Sequence, residues 1–115
     1  MATTDVDPTI APSGDGCVEC LDDGSWWFHL RRCAACGHIG CCDSSPNQHA
    51  RGHSAHTGHR VVRTFEPDED WFWDYAAEGY LDGPELAEPA HHPIEQAVPG
   101  PRGAVPADWQ SRLHP

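Results

Sequence analysis

Nine cysteine and histidine residues with the spacing of metal ligands lie between residues 17 and 59, and they constrain the fold more than any other feature. Two pairs of cysteines each enclose two residues, and an adjacent cysteine pair and three spaced histidines follow. In chain order these residues are Cys17, Cys20, Cys33, Cys36, Cys41, Cys42, His49, His53 and His59. A gap of two residues lets both thiolates turn toward one ion at about 2.3 Å, which is typical of zinc. The sequence therefore predicts two zinc sites that take four ligands each.

The spacing alone leaves the pairing of these ligands open. A sequential scheme assigns the four cysteines of the two spaced pairs to one ion. An interleaved scheme joins the first pair to Cys41 and one histidine, and the second pair to two histidines. Helix geometry would also allow His49 and His53 to share one ion, since they lie four residues apart. A metalloprotease site is excluded, because Ala50 stands where such a site needs a glutamate as general base.

The composition indicates why this chain needs a metal. Only 38% of its 115 residues are hydrophobic, and it contains eleven glycines and eleven prolines. So small a core only roughly balances the conformational entropy that folding removes, so a cross-link must stabilise the fold. We expect metal rather than disulfides, because no secretory signal is visible and the cysteines lie among histidines. For the same reason we expect a cytoplasmic protein.

The ordered domain is expected at residues 16–80, which hold all six cysteines and four of the five tryptophans. Residues 1–15 lack hydrophobic periodicity and predict a disordered leader. Residues 81–115 are rich in proline and predict a flexible tail, because such a composition cannot bury enough apolar surface to offset its ordering.

Short strands are predicted within the domain, in an antiparallel sheet. They are expected at residues 26–30, 60–65 and 70–75, with a turn at residues 66–69. In the last strand the two-residue period places Trp71, Trp73 and Tyr75 on one face and Phe72 on the other.

One main helix is predicted to pack on this sheet. Ser45 is expected to be its N-cap, with Pro46 in the first helical position and Gln48 closing a capping box. Gly58 is expected to end it in a left-handed conformation. The sequence thus predicts a small α+β domain stabilised by zinc.

The charge of the chain excludes several classes of partner. Seven arginines and no lysine stand against eighteen acidic residues, which gives a formal net charge of −11. Nucleic-acid binders usually carry a basic stripe, so we expect no nucleic-acid partner. No apolar run approaches the length that spans a bilayer, so we expect no membrane partner. We further expect a monomer.

The order of these features resembles the ubiquitin-protease-type (UBP-type) zinc finger, a module of deubiquitinating enzymes and of a histone deacetylase. The resemblance rests on the first cysteine pair, a strand with tryptophans, residues 33–41, the histidine-rich helix, residues 58–62 and the aromatic strand. It covers roughly residues 17–75. Residues 37–47 are similar to the stand-alone bacterial branch of the family.

This resemblance implies a cross-braced fold in which the ligands of the two ions are interleaved. Cys17, Cys20, Cys41 and His49 would hold one zinc ion, and Cys33, Cys36, His53 and His59 would hold the second. Four protein ligands saturate zinc, so both sites are expected to be structural. Cys42 would be left over, since neighbours on an extended segment point in opposite directions.

The resemblance also implies a ligand. In eukaryotic members an aromatic slot captures the free C-terminal Gly-Gly carboxylate of ubiquitin, and an arginine just after a zinc cysteine pairs with it. The aromatic candidates here are Trp27 or its neighbour Trp26, together with Trp71, Trp73 and Tyr75.

Asp43 occupies the position of that family arginine, and an acid repels a carboxylate. The slot is therefore predicted to have an altered specificity. One alternative is that another arginine enters the slot, and the candidates are Arg31, Arg32, Arg60 and Arg63. Others are that the helix start receives an anion, or that Asp43 binds an amine or guanidinium.

Together these observations predict a non-enzymatic recognition module for a peptide or protein C-terminus, such as a ubiquitin-like Gly-Gly end. An enzyme is not expected, because the metal sites are closed and no orienting third group accompanies a Cys–His pair. The alternative prediction is a redox sensor in which the spare Cys42 is oxidised beside a zinc thiolate.

Overall fold

The structure is a computed structural model that describes residues 5–114. Residues 1–4 of the predicted leader and residue 115 of the predicted tail lie outside this range. The described chain contains two α-helices, five strands and two short 3₁₀ turns. In chain order they are α1 Val18–Asp23, β1 Leu30–Cys33, β2 Ile39–Cys41, α2 His49–Thr57, β3 Val61–Thr64, β4 Phe72–Asp74, β5 Gly79–Leu81, and the turns Arg102–Ala104 and Trp109–Arg112.

The five strands form one antiparallel sheet in the order β2-β1-β3-β4-β5. The predicted α+β fold, with a short antiparallel sheet packed on one main helix, is confirmed. The β-branched residues Val61, Val62 and Thr64 favour an extended backbone in the central strand β3. Helix α2 packs against β1 and β2.

The first strand begins later than the prediction of residues 26–30 placed it. Strand β1 starts at Leu30 and pairs with β2 on one side and β3 on the other. Trp27 forms only an isolated antiparallel bridge, with Gly100. A strand needs continuous hydrogen-bonding partners, and these exist only from Leu30 onward.

The predicted helix start at Ser45 is wrong. Helix α2 begins at His49, and its N-cap Gln48 has a φ of 49° and no side-chain capping bond. The buried Ser45 hydroxyl instead accepts the Phe28 amide at 2.9 Å, so a tertiary contact takes the group that a local cap would use. Gly58 ends the helix with a φ of 79°, as predicted.

Two small apolar clusters form the core, and the larger one includes three of the candidate metal ligands. The larger cluster contains Cys17, Cys20, Trp27, Leu30, Ile39, Cys41 and Phe65. The smaller one contains Ala34, Val61 and Phe72, with Val6, Leu81 and Leu86 packed against it. So little apolar material agrees with the expectation that metal stabilises the domain.

The segments before and after the domain lie along it. Backbone hydrogen bonds join Asp7 to Ala34, Ala87 to Pro8 and His92 to Phe65. The mobility predicted for these segments, like the bounds 16–80, stays a prediction.

Candidate functional site

The first metal cluster joins three elements at one end of the sheet. Cys17 caps helix α1, Cys20 lies in its first turn, Cys41 ends β2 and His49 begins α2. His49 Nδ1 lies 3.3 Å from the Sγ atoms of Cys17 and Cys20 and 3.6 Å from that of Cys41. The Sγ atoms of Cys20 and Cys41 are 4.0 Å apart.

The second cluster takes its helical ligand from the same face of α2, one turn after His49. Cys33 ends β1, Cys36 follows in the turn, His53 lies one turn into α2 and His59 comes just after that helix. Cys33 Sγ lies 3.5 Å from His59 Nδ1, and Cys36 Sγ lies 3.3 Å from His53 Nε2. The ligands are therefore interleaved, and the sequential scheme is excluded.

Both clusters fit zinc. The four ligand atoms of each lie within 4.8 Å of one another. A tetrahedron with metal–sulfur bonds of about 2.3 Å has edges of about 3.8 Å, close to the separations of the ligand atoms. Burial lowers the pKa of His53 to about 4, so its imidazole is in the neutral form that binds a metal. With three thiolates and one imidazole at one site and two of each at the other, both sites are complete without solvent.

Two groups that the sequence analysis did not single out support the second cluster. His38 stacks on His53 with ring centroids 4.0 Å apart and an interplanar angle of 2°. Glu19 Oε2 lies 2.9 Å from His38 Nε2, so this carboxylate holds the outer ring in place. The stacked ring restricts the orientation of the candidate ligand His53, which is the usual role of groups that surround metal ligands.

Cys42 takes part in neither cluster, as predicted. It is 3% exposed, and its Sγ lies 3.4 Å from Ser45 Oγ.

A groove of about 210 Å³ opens beside helix α2 and crosses four strands, β1, β3, β4 and β5. The register explains its floor: Val62 lies opposite Trp73, and Trp73 lies opposite Tyr80, so their side chains share one face. The lining residues are Arg31, Cys42, Asp43, Ser44, Val62, Trp71, Trp73, Tyr75 and Tyr80.

Four of the five predicted slot residues meet in this groove, namely Asp43, Trp71, Trp73 and Tyr75. The structure does not bring Trp27 there, because its indole is 3% exposed and packs in the core near the first cluster. Phe72 points away from the groove and packs in the smaller core cluster, as its place in the strand predicted.

Tyr80 is an aromatic groove residue that sequence reasoning missed. It is 71% exposed and stands edge-on to both tryptophans, with its ring centroid 5.6 Å from that of Trp71 and 4.9 Å from that of Trp73. The sequence signal for strand β5 was weak, because three residues are too few to show an alternation of apolar and polar side chains.

Two arginines determine the charge of the groove. Arg51 donates to both carboxylate oxygens of Asp43, with its Nε 3.0 Å from Oδ1, and its guanidinium lies 5.0 Å from the Tyr75 ring centre. The guanidinium of Arg31 lies 4.5 Å from the ring centre of Trp71. Burial raises the pKa of Tyr75, and the negative charge of Asp43 raises it further. The phenol therefore keeps its proton and can donate a hydrogen bond.

Within residues 5–114, no helix combines the length and the apolar character required to cross a bilayer.

The chain is similar to proteins whose family is known. A family profile described as "Zn-finger in ubiquitin-hydrolases and other protein" matches residues 17–86, more than half of the chain. The solution NMR structure of protein RPA1320 from Rhodopseudomonas palustris is 43% identical and superposes with a TM-score of 0.61. The match covers 79% of this chain and 85% of that protein. No curated protein matches the chain.

Proposed function

Because the chain belongs to the zinc-finger family of ubiquitin hydrolases and other proteins, we propose that it is a non-enzymatic recognition module. Its two zinc ions are structural, and its groove binds the C-terminal tail of a peptide or protein, such as a ubiquitin-like Gly-Gly end. The observation that carries this proposal is the groove, in which two tryptophans and two tyrosines line a space of about 210 Å³ beside the metal-bound helix.

The shape and chemistry of the groove suit a short extended tail. The rings of Trp73 and Tyr80 stand nearly at right angles and together form an aromatic wall, and small residues such as glycine leave the backbone of a tail free to lie against it. The phenol of Tyr75 is available as a hydrogen-bond donor. Neither zinc site keeps an open position for water, which supports recognition over metal-assisted hydrolysis.

Asp43 supports a specificity different from that of the ubiquitin-binding members. It lines the groove, at the position where the resemblance implies a carboxylate-binding arginine, and an acid cannot itself make that contact. The proposal includes the expectations of a monomer, of cytoplasmic location in a bacterium, and of no nucleic-acid or membrane partner.

An NMR titration with a hexapeptide ending in Gly-Gly tests the proposal. We expect saturable shifts of the indole NH signals of Trp71 and Trp73 and of the amides of residues 42–44. Trp73→Ala should abolish these shifts, because it removes the wall of the groove. Trp109→Ala is the matched control, since Trp109 packs on Phe28 and does not line the groove, and it should bind as the wild type does.

The absence of shifts in the wild type, or shifts that persist in Trp73→Ala, would overturn the tail-binding proposal. The zinc content of every variant is measured as well, because a variant that keeps two ions per chain has lost binding without losing its fold.

The redox-sensor alternative receives less support. Its oxidisable group is Cys42, which is buried and contacts the Ser45 hydroxyl. Reactive thiols are usually accessible to solvent. Peroxide-induced zinc release that is lost in Cys42→Ser would reverse this preference.

A further inference from the structure

We infer that Arg31 binds a ligand carboxylate in the groove, and that Arg51 makes this possible by neutralising Asp43. This inference rests on the proposed function of the same groove, and it assigns the roles of three residues of this chain. A free terminal carboxylate is the ligand end that the family resemblance already implies, and the inference concerns which side chains hold it where Asp43 stands in place of the family arginine.

Arg31 is a cation with spare hydrogen-bonding capacity. Its guanidinium is half-buried and lies on the face of Trp71. Its hydrogen bond within residues 5–114 runs from Nη1 to the carbonyl of the preceding residue, Leu30, at 2.9 Å. No ion pair joins it to a carboxylate of the described chain. A guanidinium has five N–H donors, so most remain free for a ligand.

Among residues 5–114, Asp43 is the one acidic residue that lines the groove, and Arg51 compensates its charge. Both of its oxygens accept hydrogen bonds from Arg51, which lies in the first turn of α2. The three charges therefore sum to one positive charge. An amine ligand is disfavoured, because Asp43 is already paired and Arg31 repels a cation. An anion is favoured, because no carboxylate competes for Arg31 in the groove.

The shape of the site favours a carboxylate over a bulkier anion. The Trp71 ring holds the guanidinium plane on one side, and a planar fork of donors matches a carboxylate with two parallel hydrogen bonds. The neighbouring rings of Trp73 and Tyr80 limit the space around it. Arg31 is thus the binding group, and Arg51 is a positioning residue that acts through Asp43.

The test compares one hexapeptide ending in Gly-Gly as the free acid and as the C-terminal amide. We expect the wild type to bind the acid about tenfold more tightly, as a charge-assisted contact implies. Arg31→Gln should remove this preference. Arg51→Gln should weaken binding of the acid about tenfold, because Asp43 then stands unpaired, and should leave the amide unaffected.

The double variant Arg51→Gln with Asp43→Asn should regain the affinity for the acid, which a merely structural role of Arg51 would not predict. Arg102→Gln is the control, since it removes the same charge from an exposed position outside the groove. All variants should keep two zinc ions per chain.

The outcomes separate the inference from the proposed function. Equal binding of acid and amide, unaffected by Arg31→Gln, would overturn the inference and leave tail recognition in place. If neither peptide binds, a titration with acetate decides: a shift of the Trp71 indole signal that is lost in Arg31→Gln supports the carboxylate site without the tail. No response to acetate in that case would overturn both.

Discussion

Gly40 lies where strand β2 packs tightly against helix α2. A Cβ atom at this position would lie 2.7 Å from the backbone N and 2.8 Å from the Cα of Ala50. Neither atom is part of a flexible side chain, so the helix itself would have to move. Because α2 carries His49 and His53, this close approach also sets the position of both zinc sites.

Gly40→Ala should therefore destabilise the zinc-loaded protein by about 1–3 kcal/mol, as overpacking does in a tight interface. For a domain of this size that corresponds to a fall of about 4–8 °C in the melting temperature for each kcal/mol. The measurement is thermal unfolding by circular dichroism at a fixed zinc concentration.

Gly52→Ala is its control within α2. A Cβ there meets no atom within 4 Å, and alanine favours the helix over glycine by roughly 0.5–1 kcal/mol. Its melting temperature should rise. A Gly40→Ala variant as stable as the wild type would contradict the close packing of β2 on α2.

The metal ligands could be identified from the sequence, whereas the charge of the groove could not. Thiolates and imidazoles that bind one ion must lie close together, and this requirement produces short, regular gaps between the ligands in the sequence. The Asp43–Arg51 pair joins residues eight apart, across the boundary between a loop and a helix. No local pattern marks such a contact, so Asp43 alone was visible as an isolated acid.

The helices and strands also differ in how well the sequence predicts their bounds. The end of α2 is set locally by Gly58, and the sequence predicted it. Its start depends on Ser45, whose hydroxyl is used by the amide of Phe28 in a distant segment. Strand β5 forms only because β4 offers an edge to pair with, so its three residues carried no signal of their own.

Helix α2 links the two zinc sites, because His49 binds at one and His53 at the other. His53→Asn should reduce the zinc content from two ions to one, and the remaining ion should also bind more weakly. The reason is that loss of one site frees the middle of α2 and removes part of the energy that holds the helix. Native mass spectrometry with a competing chelator measures both effects.

His56→Asn is the control on the same helix. His56 is exposed and belongs to neither cluster, so the variant should keep two ions with unchanged affinity. If His53→Asn lost one ion and the other were held as tightly as before, the two sites would be independent, contrary to the bridging role of α2.

The two faces of the sheet differ at the scale of the whole molecule, because one carries the groove and the other contacts residues 10 and 89 of the flanking segments. On the face opposite the groove lies Arg32, which is 1% exposed and donates to the carbonyl oxygens of Ile10 and Pro89. These bonds tie a segment before the domain and one after it to the same side chain. Burial lowers the pKa of Arg32, which reflects the cost of removing its charge from water.

A second buried contact holds the later segment. His92 is 1% exposed, and its Nε2 lies 3.0 Å from Glu66 Oε1. Its Nδ1 lies 2.7 Å from the carbonyl oxygen of Pro93, an atom that can only accept. The other oxygen of Glu66 accepts the amide of Leu30 at the start of β1, so the pair connects the tail to the sheet.

His92→Ala should cost about 3 kcal/mol, because it leaves the Glu66 carboxylate buried without this partner. The melting temperature and the ¹⁵N order parameters of residues 86–100 measure the effect. In the wild type we expect order parameters near those of the sheet, about 0.85, and in His92→Ala values below about 0.6.

His91→Ala is the control, since its ring nitrogen contacts only the carbonyl of the neighbouring His92, and it should resemble the wild type. Low order parameters in the wild type would instead support the flexible tail that the proline-rich composition predicts, and would mean that the His92–Glu66 contact does not hold the segment in solution.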